Sequence, residues 1–384
     1  MKKIAAIFLI IVLSQIKIHA QPEYDFSGYV VDLPIVQFTN SKLAKLFGTK
    51  ENQFLNLTRV RLRPTMYLWD GARINAEYEI AALYFNSLNT FSLTTTGGNS
   101  RQLLDLTWKP VDKKNFTVTH LIDRLYFRQG FNWGDVEIGR QRISWGTGRV
   151  WNPTDLFNPI NPAAYYKLEK DGADIVSLKY IFGNFTDLQL VYNPLKKIKD
   201  SNYGFRFRTN YDTYDVSFIG GRFDKRIVAG MDFAGNFFDA GLRGEGIYSV
   251  NEDDGSDNFV KYILGIDYQF TSKLYAMLEY HFNGQGKTNK NSYDLGALVN
   301  GRILNLNKDY LATTVSYQLT PLITAALSNI ININDGSGYA GITFDYSMEQ
   351  NFYLNFGSQI TYGKEFTEYW YYPRSVYLEG QYYF

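Results

Sequence analysis

The sequence predicts an all-β fold, a transmembrane antiparallel up-and-down β-barrel of about 18 strands, with 16 as the alternative count. Three observations predict it. Segments of about ten residues alternate between an apolar face and a charged face, the pattern of a strand with different solvents on its two sides. The links between these segments sort by length, short at one end and long at the other. The chain also carries 31 Tyr, 28 Phe and 6 Trp in 384 residues. Aromatic enrichment favours strands, and Tyr suits a surface with one apolar end and one wet end.

Taken in order, residues 1–20 read as a secretory signal peptide. Lys2 and Lys3 precede a short apolar run, and Ala20 ends the segment. The run is too short for a typical spanning helix, and a non-cleaved anchor is the rival reading. Residues 21–384 then form the barrel. Losing Lys2, Lys3 and Lys17 lowers the formal net charge from +1 to −2, and no basic cluster marks a nucleic-acid partner. There is no cysteine, which excludes disulfides, thiolate chemistry and a lipid-modified N-terminal cysteine.

The expected strands cover 24–31, 53–68, 71–86, 114–129, 133–145, 171–181, 184–192, 203–210, 213–222, 226–234, 238–249, 259–269, 273–283, 309–319, 321–331, 336–347, 350–361 and 374–384. In 273–283, for example, Leu274, Ala276, Leu278, Tyr280 and Phe282 oppose Tyr275, Glu279, His281 and Asn283. The long links are 32–52, 87–113, 146–170, 193–202, 250–258, 284–308 and 362–373. Their parity starts and ends the chain at the periplasmic side and sends 146–170 out at the extracellular end.

Turning the polar faces inward gathers Arg59, Arg61, Arg63, Arg124, Arg128, Arg140 and Arg142 on neighbouring strands, with Glu77 and Glu79 facing them. Arg206 and Arg208 follow later. Two readings stand for this wall. It is either a transverse field that selects anionic solutes or a set of cross-strand pairs that a wet interior needs anyway. Val136 and Ile138 share a parity with Arg140, so a bulge at Gly139 is expected to turn the arginines inward.

The stretch 139–162, GRQRISWGTGRVWNPTDLFNPINP, breaks the repetition. Asn152 can cap a short helical turn, with Pro153 first and Asp155 in its first turn. A proline-stiffened loop of this kind either enters the lumen as a constriction, carrying Trp145, Arg149, Trp151, Asn152, Asp155, Phe157 and Asn158, or forms an external cap. The pattern GRQ…WG…NPxDxFNP resembles a motif of poorly characterised bacterial porin-like outer-membrane barrels, a resemblance that implies solute passage or surface export. The final segment, with Leu378, Tyr382 and Phe384 alternating, resembles the C-terminal signal of outer-membrane barrels, which implies recognition of Tyr382 and Phe384 by the barrel-assembly machinery.

No metal-ligand spacing, phosphate loop or nucleophile elbow is present. His281 and Glu279 lie at i and i+2, a spacing open to a base and its orienter, but no nucleophile accompanies them. The acidic run 251–258 departs from a calcium loop, since Ser256 stands at the required glycine. The expectation is therefore no enzyme, no cofactor and no metal. It is a porin-like channel of a Gram-negative outer membrane, passing small hydrophilic solutes with a possible bias to anions. Its partners would be membrane lipid and the assembly machinery, with the oligomeric state unknown. The alternative is a barrel that binds or exports surface polysaccharide, using the aromatics of 362–373.

Overall fold

Alternation dictates extended chain wherever it persists, and the computed structural model follows it. The structure describes residues 23–88, 101–157, 169–255, 257–299 and 303–384. The expected signal peptide and Asn158 lie outside the described residues. The strands are β1 (Glu23–Phe38), β2 (Asn52–Trp69), β3 (Ala72–Phe85), β4 (Thr107–Lys113), β5 (Phe116–Phe131) and β6 (Gly134–Gln141). They continue as β7 (Ala173–Ile181), β8 (Asp187–Asn193), β9 (Asn202–Tyr211), β10 (Tyr214–Phe223), β11 (Arg226–Phe237) and β12 (Ala240–Asn251). Next are β13 (Phe259–Gln269), β14 (Leu274–Asn283), β15 (Asp309–Thr320) and β16 (Ile323–Asn332). The last are β17 (Gly338–Glu349), β18 (Phe352–Tyr362) and β19 (Arg374–Tyr383).

Each strand but β4 pairs antiparallel with a neighbour on either side, and β1 pairs with both β2 and β19, which closes an 18-stranded barrel. Closure leaves no edge in the ring. At the seam, the Gly28 and Phe384 backbones exchange hydrogen bonds of 2.9 and 3.1 Å. The outward faces form an apolar belt, with Leu264, Ile266, Leu278, Val315, Leu327, Phe356 and Leu378 all exposed. One rim is built from short turns such as 70–71, 132–133 and 212–213, and the other holds the long links.

Two expectations need correction. First, β4 was not expected. Pro110 interrupts its alternation and falls at a register irregularity between Trp108 and Val111. It pairs only with the upper half of β5, residues 116–121, because β6 ends at Gln141 rather than at 145 and vacates that edge. Second, the β5–β6 register runs through Gly139 without a shift. The bulge lies on β5, between the pairs Glu77↔Arg124 and Tyr78↔Ile122, with Asp123 as the extra residue.

The interior is filled in three places. Tyr29, Val31, Leu33 and Ile35 of β1 pack on Leu55 and Leu57 of β2. Residues 143–157 enter the other two clusters, described below. Over the long-loop rim, helix α1 (Ser41–Phe47) inserts Leu43 against Leu298, Leu306 and Tyr371. Asn40 caps α1 by accepting from the Lys42 N–H at 2.9 Å, and left-handed Gly48 ends it. A second short helix, α2 (Leu295–Val299), lies in the link before β15.

Candidate functional site

The inward faces of β2 and β3 bring the expected charges together. Arg59 meets Glu79 at 3.0 Å. Arg61 contacts Glu77 at 3.0 Å, Glu169 at 3.2 Å and Glu79 at 3.5 Å, and also pairs closely with Asp123. Arg63 pairs with Glu169 and lies 5.0 Å above the Tyr29 ring. Arg124 reaches Glu77 at 3.0 Å and Glu169 at 3.3 Å. Four guanidinium groups thus face four carboxylates, and Arg61 at the centre is only 2% exposed. Arg128, further along β5, takes Asp135 at 3.1 Å and Glu137 at 3.4 Å. Asp123 and Glu169 were not singled out from the sequence. The bulge turns Asp123 inward beside Arg124, and Glu169 stands where the chain returns towards β7.

Arg140 does not join this wall. With no bulge at Gly139 it keeps the parity of Val136 and Ile138 and faces outward. There it is buried beneath residues 101–106. It bonds Asp174 at 2.8 and 3.1 Å, the Ile122 carbonyl at 3.2 Å and the Leu104 carbonyl. Asp174 in turn accepts from the Leu103 and Leu104 amides. This knot joins β5, β7 and the 101–106 segment at the point where β6 leaves the wall. Arg142 lies just past the end of β6 and is exposed, with Ser144 Oγ at 3.4 Å.

Beyond Gln141 the chain turns into the barrel. Trp145 is 1% exposed. It packs edge-on to Phe157 and Phe223 at 5.3 and 6.3 Å and donates to Gln189 Oε1 at 2.9 Å. With Ile143 and Phe157 it fills a pocket of Ile175, Val191, Ile219, Val228 and Ile247, from β7 to β12. Trp151 crosses to the other side, stacking on His281 at 5.1 Å beside Ile263, Tyr310 and Ile330. Burying such rings contributes roughly 2–3 kcal/mol each.

Two wall carboxylates hold the backbone between these anchors. Glu245 of β12 accepts from the Thr147 amide at 2.6 Å and from the Thr154 hydroxyl at 3.1 Å. Glu279 of β14 accepts from the Arg149, Val150 and Trp151 amides at 2.7, 3.1 and 2.8 Å. Gly146 makes the approach possible. Its φ of +100° suits glycine, and a Cβ there would stand 2.4 Å from Glu245 Oε2. Asn152 closes a single turn through its carbonyl, bonded by the Asp155 amide at 3.1 Å, rather than capping a helix. Asp155 is buried and pairs with Lys170. Glu279 is thereby committed to three amides, and His281 is sandwiched between rings with Nδ1 3.2 Å from the Tyr262 carbonyl. The geometry gives the pair no shared proton.

The aromatics of 362–373 divide, Tyr362 and Phe366 staying exposed while Tyr369 and Tyr371 turn inward. Tyr369 and Tyr371 are buried in the rim, on a short 3-10 turn. Next to them Glu368, 1% exposed, accepts from the Leu306 amide at 3.0 Å, Asn332 Nδ2 at 2.8 Å and the Tyr310 hydroxyl. Burial pushes its carboxyl up to about 7, against these hydrogen bonds and with help from Asp335. Tyr382 and Phe384 stand on the outer face at the short-turn rim, the Phe384 ring 6.0 Å from Phe26.

Among solved structures, OccD3 of Pseudomonas aeruginosa superposes with a TM-score of 0.53 at 10% identity, over 94% of this chain and 91% of that one. The fold is a porin fold. A mutant of the Rhodopseudomonas blastica porin gives a TM-score of 0.50 at 10% identity, over 94% of this chain and all of that one. No family profile matches the sequence. No curated protein matches it either.

Proposed function

We propose that this porin-fold barrel is a channel of a bacterial outer membrane, passing small hydrophilic solutes by diffusion, rather than an enzyme. The observation that carries the reading is the 143–157 segment clamped by Glu245 and Glu279 inside a closed barrel whose outer face is apolar. An apolar belt on every outward strand face suits lipid and would be unusual on a soluble monomer. The infolded segment would narrow the lumen. On this reading residues 1–20 direct secretion, residues 21–384 form the barrel, and the assembly machinery reads Tyr382 and Phe384. Membership of the family carrying the NPxDxFNP motif belongs to the same proposal.

The charge preference follows from the pairing. Arg59, Arg61, Arg63 and Arg124 are matched by Glu77, Glu79, Asp123 and Glu169, so this wall orders water and polar solutes without a net sign. A bias to anions would come from cations that lack such partners. The test is single-channel current of the refolded mature chain in a planar bilayer. Steady conductance is expected, and a folded barrel that passes no current would overturn the channel.

A further inference from the structure

Arg149 differs from the arginines of the wall. Arg59, Arg61, Arg63, Arg124, Arg128, Arg206, Arg208 and Arg243 each have a carboxylate oxygen within 4.0 Å. The Arg149 guanidinium has none among the described residues, and its side chain is exposed. Its backbone is nevertheless fixed, because the Arg149 amide and the two that follow are held by Glu279. Beside it lies a cavity of about 210 Å³, lined by Arg149, Val150, Thr314, Ser328, Ile330 and Tyr339.

The floor of that cavity suits an anion. Thr314 and Ser328 stand opposite each other on β15 and β16, and both carry hydroxyl donors. Ser328 faces Gly341 on β17. A Cβ at Gly341 would come within 3.0 Å of Ser328 Oγ, so the glycine keeps that side open. Two acids on β14 and β13, the strands before β15, are already engaged: Glu279 by three amides and Asp267 by Arg243. A cation with free donors beside two hydroxyls matches the fork geometry with which guanidinium holds carboxylate or phosphate. The volume exceeds several waters at roughly 30 Å³ each, enough for a small organic acid.

We propose that Arg149, Thr314 and Ser328 form a binding station for small solutes bearing a carboxylate or similar oxyanion, with Glu279 as the positioning residue that presents Arg149 to the lumen. The inference rests on the channel reading and gives it a substrate class. It moves charge selection from the paired wall to the infolded segment.

The experiment is reversal potential across a bilayer holding the refolded barrel in a tenfold gradient of potassium acetate, repeated with potassium phosphate. Wild type is expected to favour the anion. Arg149→Gln should lower the anion-to-cation permeability ratio by about threefold or more, and Arg149→Lys should restore most of it. Thr314→Val/Ser328→Ala should weaken acetate preference with the charge intact, and decides the matter if Arg149→Gln does not fold. Glu279→Gln should split the single conductance level into several as Arg149 loses its fixed place. Current with an unchanged ratio in Arg149→Gln, or in the hydroxyl pair, overturns the station and leaves the channel standing. A folded wild type with no current overturns the channel, and the station with it.

Discussion

At the scale of single residues, the interior depends on charges that cannot be removed one at a time. Arg61 touches Glu77, Glu79, Asp123 and Glu169 from a site closed to water. Arg61→Ala leaves an excess of buried carboxylate and should cost about 3–5 kcal/mol, read as a lower urea midpoint for the barrel in lipid vesicles. The rows of arginine and glutamate were legible because alternation places them on one face. Asp123 was not, although a signal was present: Asp123 and Arg124 are adjacent opposite charges in a strand that otherwise alternates, which a bulge accommodates. Glu368 gives a pH prediction. Free in an unfolded chain it would ionise near 4.5, whereas buried it keeps its proton to about 7. The folded rim binds the extra proton between these values, so its stability is greatest below 4.5 and falls as pH rises through 7, by about 3 kcal/mol. Glu368→Gln should flatten the fall, measured as hydrogen-exchange protection of Leu306 corrected for intrinsic rate. A wild-type profile as flat as that of the variant would count against it.

At the scale of elements, the infolded segment behaves as one unit with anchors at both ends. Trp145→Ala removes a ring from a pocket with little room to collapse and should cost about 3–5 kcal/mol. Gly146→Ala acts differently, since it meets both an unsuitable φ and Glu245. It should free the segment and open the bonds after Arg142 and Arg149 to trypsin while the barrel stays folded; full resistance would mean the carboxylate clamps are not what holds it. The sequence marked this stretch by its prolines and aromatics but left open whether it turned in or out. The deciding partners, Glu245 and Glu279, are single carboxylates on ordinary alternating strands, about a hundred residues away with no local sign of their task. Arg140 teaches the opposite lesson. Its parity with Ile138 was correct as written, and the bulge expected at Gly139 came from assuming that an arginine on a strand must face water. An outward arginine is tolerated because residues 101–106 cover it and Asp174 pairs with it.

At the scale of the whole molecule, every expected strand corresponds to a strand of the ring. A single rule, apolar outside and polar inside, repeats along the chain and so reinforces itself. Phe384 extends the β1–β19 seam by one more pair: deleting it removes two seam hydrogen bonds and a contact with Phe26, and should lower the fraction that stays folded when heated in detergent on a gel. The strand that escaped, β4, occupies an edge that β6 gives up, and that edge has two claimants. Residues 142–148 are continuous with β6 but leave the wall for the interior, whereas Thr107–Lys113 is folded back onto β5 as a hairpin through the turn at 114–115 and takes the place along residues 116–121. The wall and the lumen are therefore alternative destinations for one stretch of chain. Lengthening β6 along β5 would be a strand displacement that opens the β4–β5 hairpin and withdraws Trp145 from its pocket in one step, so the outer edge of β5 and the cluster around Trp145 compete for the same residues.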